Sequence, residues 1–400
     1  MLLYIFGFIL LCIVLFFLYL RLKFRFWSLQ PVFHFYDLYY WVVNVGIIRK
    51  ELPSKNRYVN INKIKTNCFE NLNELTKKQI ILLIRLNYYR NNENKYDPHA
   101  ENILPYFVGH NASTFWSYYL EPDILIDNVT SKTIEVPKIV GVITRRPLHV
   151  TIYANATSKS TFDVYYVDYL CVNKNWRNKN IAPQLIQTHE YNQSHNNRKI
   201  CVSLFKREEE LTGIIPLTVY KTYCFPLREN MFDILDANVT ILTGDKQNMY
   251  YLYDFLSTLN NRGILIYPEM SNLMELVSTK NLYIKMLVIN GNIESVYIFR
   301  KTCTYIKKSR EIISCIASVK KRKGALTTSE FIRGFKASLW TIIRENSNYK
   351  YLSIEDISDN TCIINNICDR THPIAISPMA YFFYNFAYSP FESGKCVIIN

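Results

Sequence analysis

Residues 2–20, LLYIFGFILLCIVLFFLYL, are an uninterrupted apolar run without a charge, and they are long enough to cross a bilayer. A helix that is apolar all round must be covered on every side, which lipid does more readily than the interior of a domain. Arg21, Lys23 and Arg25 follow at once. A signal peptide needs a basic residue before its apolar run and a small-residue cleavage site after it, and neither is present. The run therefore reads as one transmembrane anchor. Its basic flank lies on the C-terminal side, so the positive-inside rule places residues 21–400 in the cytosol. In that compartment the sequons at Asn111 and Asn155 carry no glycan, and the 10 cysteines stay reduced.

The remaining chain is long enough for two domains and a sizeable core. Its 31 Tyr and 23 Phe exclude a disordered polymer. A net charge of +14 favours an anionic partner: nucleic acid, a membrane surface or a phosphorylated cofactor. The cysteines show no zinc spacing; the closest pair, Cys362 and Cys368, is C-x5-C, and His372 nearby lacks support. The run KKRK at 320–323 joins the end of a strand and reads as a solvated loop, so nucleic acid is not expected as a partner.

Apolar spacing predicts a helix over 72–90, with Leu72, Leu75, Leu82, Leu83 and Leu86 on one face. KIVGVITRRPLHVTIY (138–153) predicts two strands around Pro147. Residues 282–306 predict a hairpin turning at Asn290-Gly291-Asn292. A helix near 328–344 follows, then KYLSIEDI, and strands at 380–388 and 395–400. The strand pattern lapses over 226–250, which divides the chain into an anchor (1–22), a first half (23–225) and a second half (226–400). Helices alternate with a mostly antiparallel or mixed sheet in both halves, which is a mixed α/β arrangement.

VYYVDYLCVNKNWRNKNIAPQLIQ (164–187) begins as a buried strand and ends as a helix with Pro183 in its first turn. Between them lies the polar, basic turn Arg177-Asn178-Lys179-Asn180. A strand, a turn offering N–H groups and a helix N-terminus together make an anion cradle. The alternative is an ordinary connection on the surface, since the glycines usual in such loops are absent.

Several separated motifs then fall in one order: FRFWSLQPV (24–32), KIVGVITRRPLHVTIY, VDYLCVNKNWRNKNIAP (167–183), SIEDISDN (353–360) and YFFYNF (381–386). Together they resemble the glycylpeptide N-myristoyltransferases, proteins of two acetyltransferase-like (GNAT) halves, from about residue 24 to 400. The resemblance implies tandem GNAT halves around a mixed twisted sheet, with acyl-CoA in the first half. The second half then contributes the peptide site and the terminal carboxylate. It implies that the turn cradles the phosphates through the N–H groups of Asn178, Lys179, Asn180, Ile181 and Ala182, with Arg177 and Lys179 adding charge. Arg25, Phe26 and Trp27 would line the ligand from the other side, and Leu170, Cys171 and Val172 would run beside it.

The implied chemistry is thioester to amide transfer from myristoyl-CoA, a co-substrate, to the N-terminal glycine of a protein, with no prosthetic group or metal. Coenzyme A leaves readily, so positioning and oxyanion stabilisation matter more than a protein nucleophile. The main-chain N–H groups of Tyr169 and Leu170 match the oxyanion donors. The carboxylate of Asn400 matches the base, in a protein expected to act as a monomer. The acceptor side departs from the family. YYRNNENKY (88–96) and Tyr96-Asp97-Pro98-His99 replace its acidic loop and Phe-Asp-Tyr-Ser, and 203–227 lacks its peptide-contacting histidine. ISPMAY replaces a glycine-rich turn. Two alternatives follow: an N-acyltransferase with another acyl chain or acceptor, or a non-catalytic acyl-CoA-binding membrane protein.

Overall fold

The computed structural model describes residues 2–42, 45–88, 94–126, 133–154, 158–208, 213–228, 235–260, 262–307, 309–321, 324 and 326–400. Residues 89–93 of the 88–96 loop, the sequon at 155–157, residues 229–234 and residues 322–323 of KKRK lie outside that set.

Helix α1 (Leu2–Lys23) is followed by a 3-10 turn at Trp27–Leu29 and the short α2 (Leu38–Val42). Strands β1 (Gly46–Ile47) and β2 (Ile64–Cys68) lead to α3 (Glu74–Asn87), β3 (Asn94–Tyr96) and α4 (Ala100–Ile103). Three long strands come next, β4 (Phe115–Ile126), β5 (Thr133–Tyr153) and β6 (Lys159–Val172), then α5 (Ile181–Asn196). After β7 (Ser203–Glu208), β8 (Thr218–Pro226) and β9 (Val239–Thr243) come α6 (Met249–Ser257), β10 (Ile264–Tyr267) and α7 (Met270–Ser278). The chain continues through β11 (Leu282–Ile289), β12 (Asn292–Ile306), β13 (Arg310–Lys320), α8 (Thr328–Glu345) and β14 (Tyr349–Glu355). It closes with α9 (Asn360–Cys368), β15 (Ala375–Tyr384), β16 (Phe386–Ala387) and β17 (Cys396–Ile398).

Among the described residues, one mixed sheet of 15 strands runs β17-β10-β5-β6-β7-β15-β8-β14-β13-β12-β11-β9, with β4 on β5, β2 on β4 and β3 on β12. The same motif occurs twice. β4, β5 and β6 are antiparallel, and α5 then crosses to β7, which runs parallel to β6. β11, β12 and β13 are antiparallel, and α8 crosses to the parallel β14. The two copies differ at the parallel seam. β13 and β14 stay paired from Glu311 opposite Tyr349 to Cys315 opposite Ile354. Among the described residues β6 and β7 meet only at Tyr165 opposite Ser203 and Tyr166 opposite Leu204, and then diverge.

A buried cation holds that short seam. Arg145 is 2% exposed, and its Nη1 donates to Glu190 and Gln193 on α5 and to the hydroxyl of Ser203 at the start of β7. Three elements thus share one guanidinium. Removing one partner of such a pair leaves an uncompensated buried charge and costs roughly 3–5 kcal/mol.

Two sequence expectations change. Residues 138–153 are one strand, not two. Pro147 lies opposite Tyr165 on β6, while the other edge of β5 is paired by β4 up to Arg145 and by β10 from His149. Pro147 falls in the gap between those partners, where a missing N–H breaks no ladder bond. The helix over 72–90 is α3, capped by Asn73, whose side chain accepts from the Thr76 N–H at 2.7 Å. Its buried face is Ile80, Ile81, Leu83, Ile84 and Asn87, whereas Leu75, Leu82 and Leu86 are exposed. The isoleucine stripe packs on the sheet and most of the leucine stripe faces out. The hairpin forms as expected, with Asn290 and Gly291 both at positive φ, as its tight two-residue turn requires.

Ile84→Ala should therefore destabilise the protein by about 2–5 kcal/mol, and Leu86→Ala should stay within about 0.5 kcal/mol. Thermal unfolding of the two variants checks this; the opposite order would restore the leucine face as the buried one.

Candidate active site

The register of β5 against β6 slips between Thr144 and Arg145, because Tyr169 faces Thr144 and Val167 faces Arg145. Asp168 is the extra residue of this bulge, which re-aims its side chain. Beyond it, the Asn173 N–H donates to the Val140 carbonyl at 2.8 Å. Alternation along an antiparallel pair then turns the N–H groups of Leu170 and Val172 away from β5, toward the side that β7 has left. The Tyr169 N–H instead donates to the Thr144 hydroxyl at 3.2 Å. Of the two expected oxyanion donors, Leu170 thus faces the opening and Tyr169 is engaged by a side chain.

Side chains around the bulge enclose a cavity of about 660 Å³. Asp168 and Tyr169 line it from β6, Lys206 from β7, Arg300 from β12 and Glu355 from β14. The Tyr96 and Tyr169 hydroxyls are 2.8 Å apart. The Tyr88 ring packs on both. Nζ of Lys206 donates to Glu355 at 2.9 Å, and the Tyr220 hydroxyl donates to the other carboxylate oxygen at 2.8 Å. Burial lowers the Lys206 ammonium from its ordinary value.

The Asp168 carboxylate accepts from Nε of Arg146 through both oxygens, at 3.0 and 3.1 Å. Arg146 is itself fully buried between the rings of Tyr106 and Tyr166. Burial raises the Asp168 carboxyl above the usual range, and Arg146 and Arg300 offset only part of that rise.

Asn400 is 1% exposed and does not line the cavity. Arg300 connects the two: its Nη1 reaches the main-chain oxygen of Asn400 at 3.4 Å and the side-chain oxygen at 3.3 Å. The Asn400 amide donates to the Tyr381 hydroxyl at 3.1 Å.

At the far end of β6 lies the glycine-free turn. Asn178 and Asn180 have φ of 63° and 56°, the left-handed region that asparagine tolerates best after glycine. Asn180 is the N-cap of α5, yet its side chain makes no capping bond. No described protein group accepts from the N–H of Asn178, Lys179, Asn180, Ile181 or Ala182. Alternating left-handed residues before a helix N-terminus aim such donors into one concavity.

The two basic side chains expected to add charge are engaged nearby. Nη2 of Arg177 donates to the Asn87 carbonyl at 2.7 Å, at the end of α3. Nζ of Lys179 lies over the Trp176 ring, 4.2 Å from its centre. Leu170 and Val172 pack toward α5, whereas Cys171 faces α3 with its thiol pushed up to about 12 by burial.

Arg25, Phe26 and Trp27 arrive on the β7 side. Trp27 stacks on Phe205 of β7, which stacks on Phe382. Phe26 packs against Tyr58, in a segment that docks on α5 through Asn60, Thr188 and Gln184. Arg25 is exposed. Sequence reading missed Arg146, Lys206, Arg300 and Glu355. The adjacent arginines at 145–146, inside an otherwise apolar strand, were the available signal.

Residues 53–216 match the family model "Myristoyl-CoA:protein N-myristoyltransferase, N-terminal domain". A "Putative glycylpeptide N-tetradecanoyltransferase" of Amsacta moorei entomopoxvirus is 24% identical over 176 residues, which is 40% of this chain. The matched region is 56% of that relative, so the chain spans little more than half its length. Saccharomyces cerevisiae N-myristoyltransferase with bound myristoyl-CoA superimposes with a TM-score of 0.69 at 14% identity, over 92% of this chain and 94% of that one. A tandem GNAT protein from the clavulanic acid biosynthesis pathway gives 0.53 at 10% identity, over 82% of this chain and 100% of that one. The fold is thus that of tandem GNAT proteins. Over residues 53–216 the sequence is similar to the N-terminal domain of the N-myristoyltransferase family.

Proposed function

We propose that this protein is a membrane-anchored acyltransferase that moves a long-chain acyl group, myristoyl in the first instance, from acyl-CoA to the N-terminal glycine of a protein. The observation that carries this reading is the divergence of β6 from β7 after Tyr166, with the Leu170 N–H facing the opening and free donors at 178–182. An anionic, thread-like thioester suits that geometry: phosphates at the turn, the chain beside Leu170, Cys171 and Val172, and the carbonyl oxygen at the Leu170 N–H. Tyr169 becomes the second donor once the Thr144 hydroxyl releases its N–H. Helix α1 is long and apolar enough to span a bilayer, and its basic flank supports a cytosolic site.

In the reaction the acceptor ammonium first loses a proton. The amine then attacks the thioester carbonyl, the oxyanion collapses, and the C–S bond breaks. The thiolate leaves as coenzyme A after taking the second amine proton. A carboxylate serves as base. The family resemblance gives that role to Asn400, while three carboxylates line the cavity, Asp168, Glu208 and Glu355, and of these Asp168 sits at the bulge beside Tyr169. The cavity wall of tyrosines and ion pairs also supports a second reading, in which the acceptor is not an N-terminal glycine. Mass spectrometry of products from myristoyl-CoA and pooled glycine-initiated octapeptides separates the two.

The turn gives one prediction. Asn178→Gly with Asn180→Gly should keep long-chain acyl-CoA affinity, since glycine adopts positive φ freely. Asn178→Val with Asn180→Val should weaken it about tenfold or more, because left-handed strain costs roughly 1–2 kcal/mol per residue. Calorimetric titration reads both. Equal affinity in the two variants would remove the phosphates from this turn.

The base gives another. Asp168→Asn should lower kcat/KM by about 10²–10⁴ and leave acyl-CoA affinity unchanged. Part of the rate should return at high pH, where an α-amino group with a pKa of about 7.7–8.0 is already neutral. In the parent protein the rate should fall as pH drops through the Asp168 pKa, which burial sets above the ordinary carboxylate range. Residues added after Asn400 should matter less. Full activity in Asp168→Asn with loss on extension would give the role to Asn400.

A further inference from the structure

We infer that residues 35–42 form a second lipid-contacting element, seated in the leaflet that the C-terminal end of α1 crosses. The inference rests on α1 spanning the bilayer. Of the described α1 side chains only Leu20 is buried, and the helix touches the rest of the protein near its end. Phe16 meets Phe35 edge-on with ring centres 6.2 Å apart, and Phe17 meets Tyr36 at 5.7 Å.

These contacts fix depth. Arg21 and Lys23 mark the headgroup level at the end of the helix, and Phe16 lies five residues before Arg21. At 1.5 Å per residue this is about 7–8 Å below that level, well inside a hydrocarbon layer of about 30 Å. Whatever packs on Phe16 and Phe17 shares that depth. Phe35 and Tyr36 therefore reach into the acyl region.

The segment that follows is built for such a medium. Leu38 and Val42 are 71% and 82% exposed, and Tyr39 and Trp41 are exposed beside them on α2. Trp41 is held from behind by the buried Phe33, 4.9 Å between ring centres. Its indole N–H donates to the Phe35 carbonyl at 3.2 Å, so its polar atom needs no water. Asp37, the acidic residue here, is half-buried and turned inward, accepting the His34 N–H at 2.9 Å. Lys23 lies over the Tyr19 and Phe24 rings, and exposed Arg21 and Arg25 flank it at the level of anionic headgroups. Apolar anchors beneath and cations above are the pattern of an interfacial seat. The occupant is lipid because the patch continues the lipid-facing surface of α1 at the same depth.

The test uses the full-length protein in phosphatidylcholine–phosphatidylserine vesicles whose acyl chains are brominated near the headgroup end. The chain has 5 tryptophans, so Trp41 quenching is read as the part lost in Trp41→Phe. That part should be substantial with shallow bromines and smaller with bromines near the chain end. Leu38→Glu with Val42→Glu should abolish it while α1 stays resistant to carbonate extraction. No Trp41 quenching in a carbonate-resistant protein would overturn the seat and leave the anchor standing. A cross-linked dimer that shields Trp41 from bromine would overturn it in favour of a second copy. Carbonate extraction of the parent protein would overturn the anchor, and the seat with it.

Discussion

Arg145 holds together what the rest of the site needs. Its guanidinium joins α5 to β7 beside the residues where β6 and β7 still pair. Beyond that point the strands are free to part, and the opening is where Leu170 presents its N–H. Pairing further along would close the cleft, and no pairing would let β7 drift. A buried ion pair is a costly way to fasten two elements, and its return here is geometric: one fixed point from which two strands diverge.

The second half shows the alternative outcome of the same motif. β13 and β14 remain zipped over the corresponding seam, and their faces carry cores formed with α8 and α9. One copy has exchanged sheet continuity for a cleft, and the other keeps the sheet whole. The charged side chains then gather where the copies face each other, with Lys206 from the first half against Glu355 and Arg300 from the second. The cavity is therefore shared between the halves.

Much of the scaffold was legible in the sequence because local patterns and tertiary demands agree there. The Asn290-Gly291 hairpin and the strand–turn–helix at 164–187 are of this kind. The α3 face was not, since its leucine and isoleucine stripes are equally apolar and only the position of the sheet decides between them. Pro147 misled for a related reason: a proline interrupts a strand only when a neighbour needs its N–H, and neighbours are not written locally. The turn at 177–180 carries no glycine, and only its backbone angles reveal that Asn178 and Asn180 take the left-handed conformation that glycine usually supplies. The charged groups of the cavity come from β6, β7, β12 and β14, so no single stretch of sequence could display them together.

The sheet also interlocks across residue 225. β10 from the later part of the chain pairs with β5 and carries β17 on its other edge, and β3 from the earlier part pairs with β12. Each part thus completes the other's sheet, and a cut between them would leave raw edges on both fragments. Two consequences are mechanical. Jaw-like separation of the halves would tear backbone ladders, so ligands must enter past side chains and loops. Melting should also be a single cooperative event, because strands of each part pair directly with strands of the other.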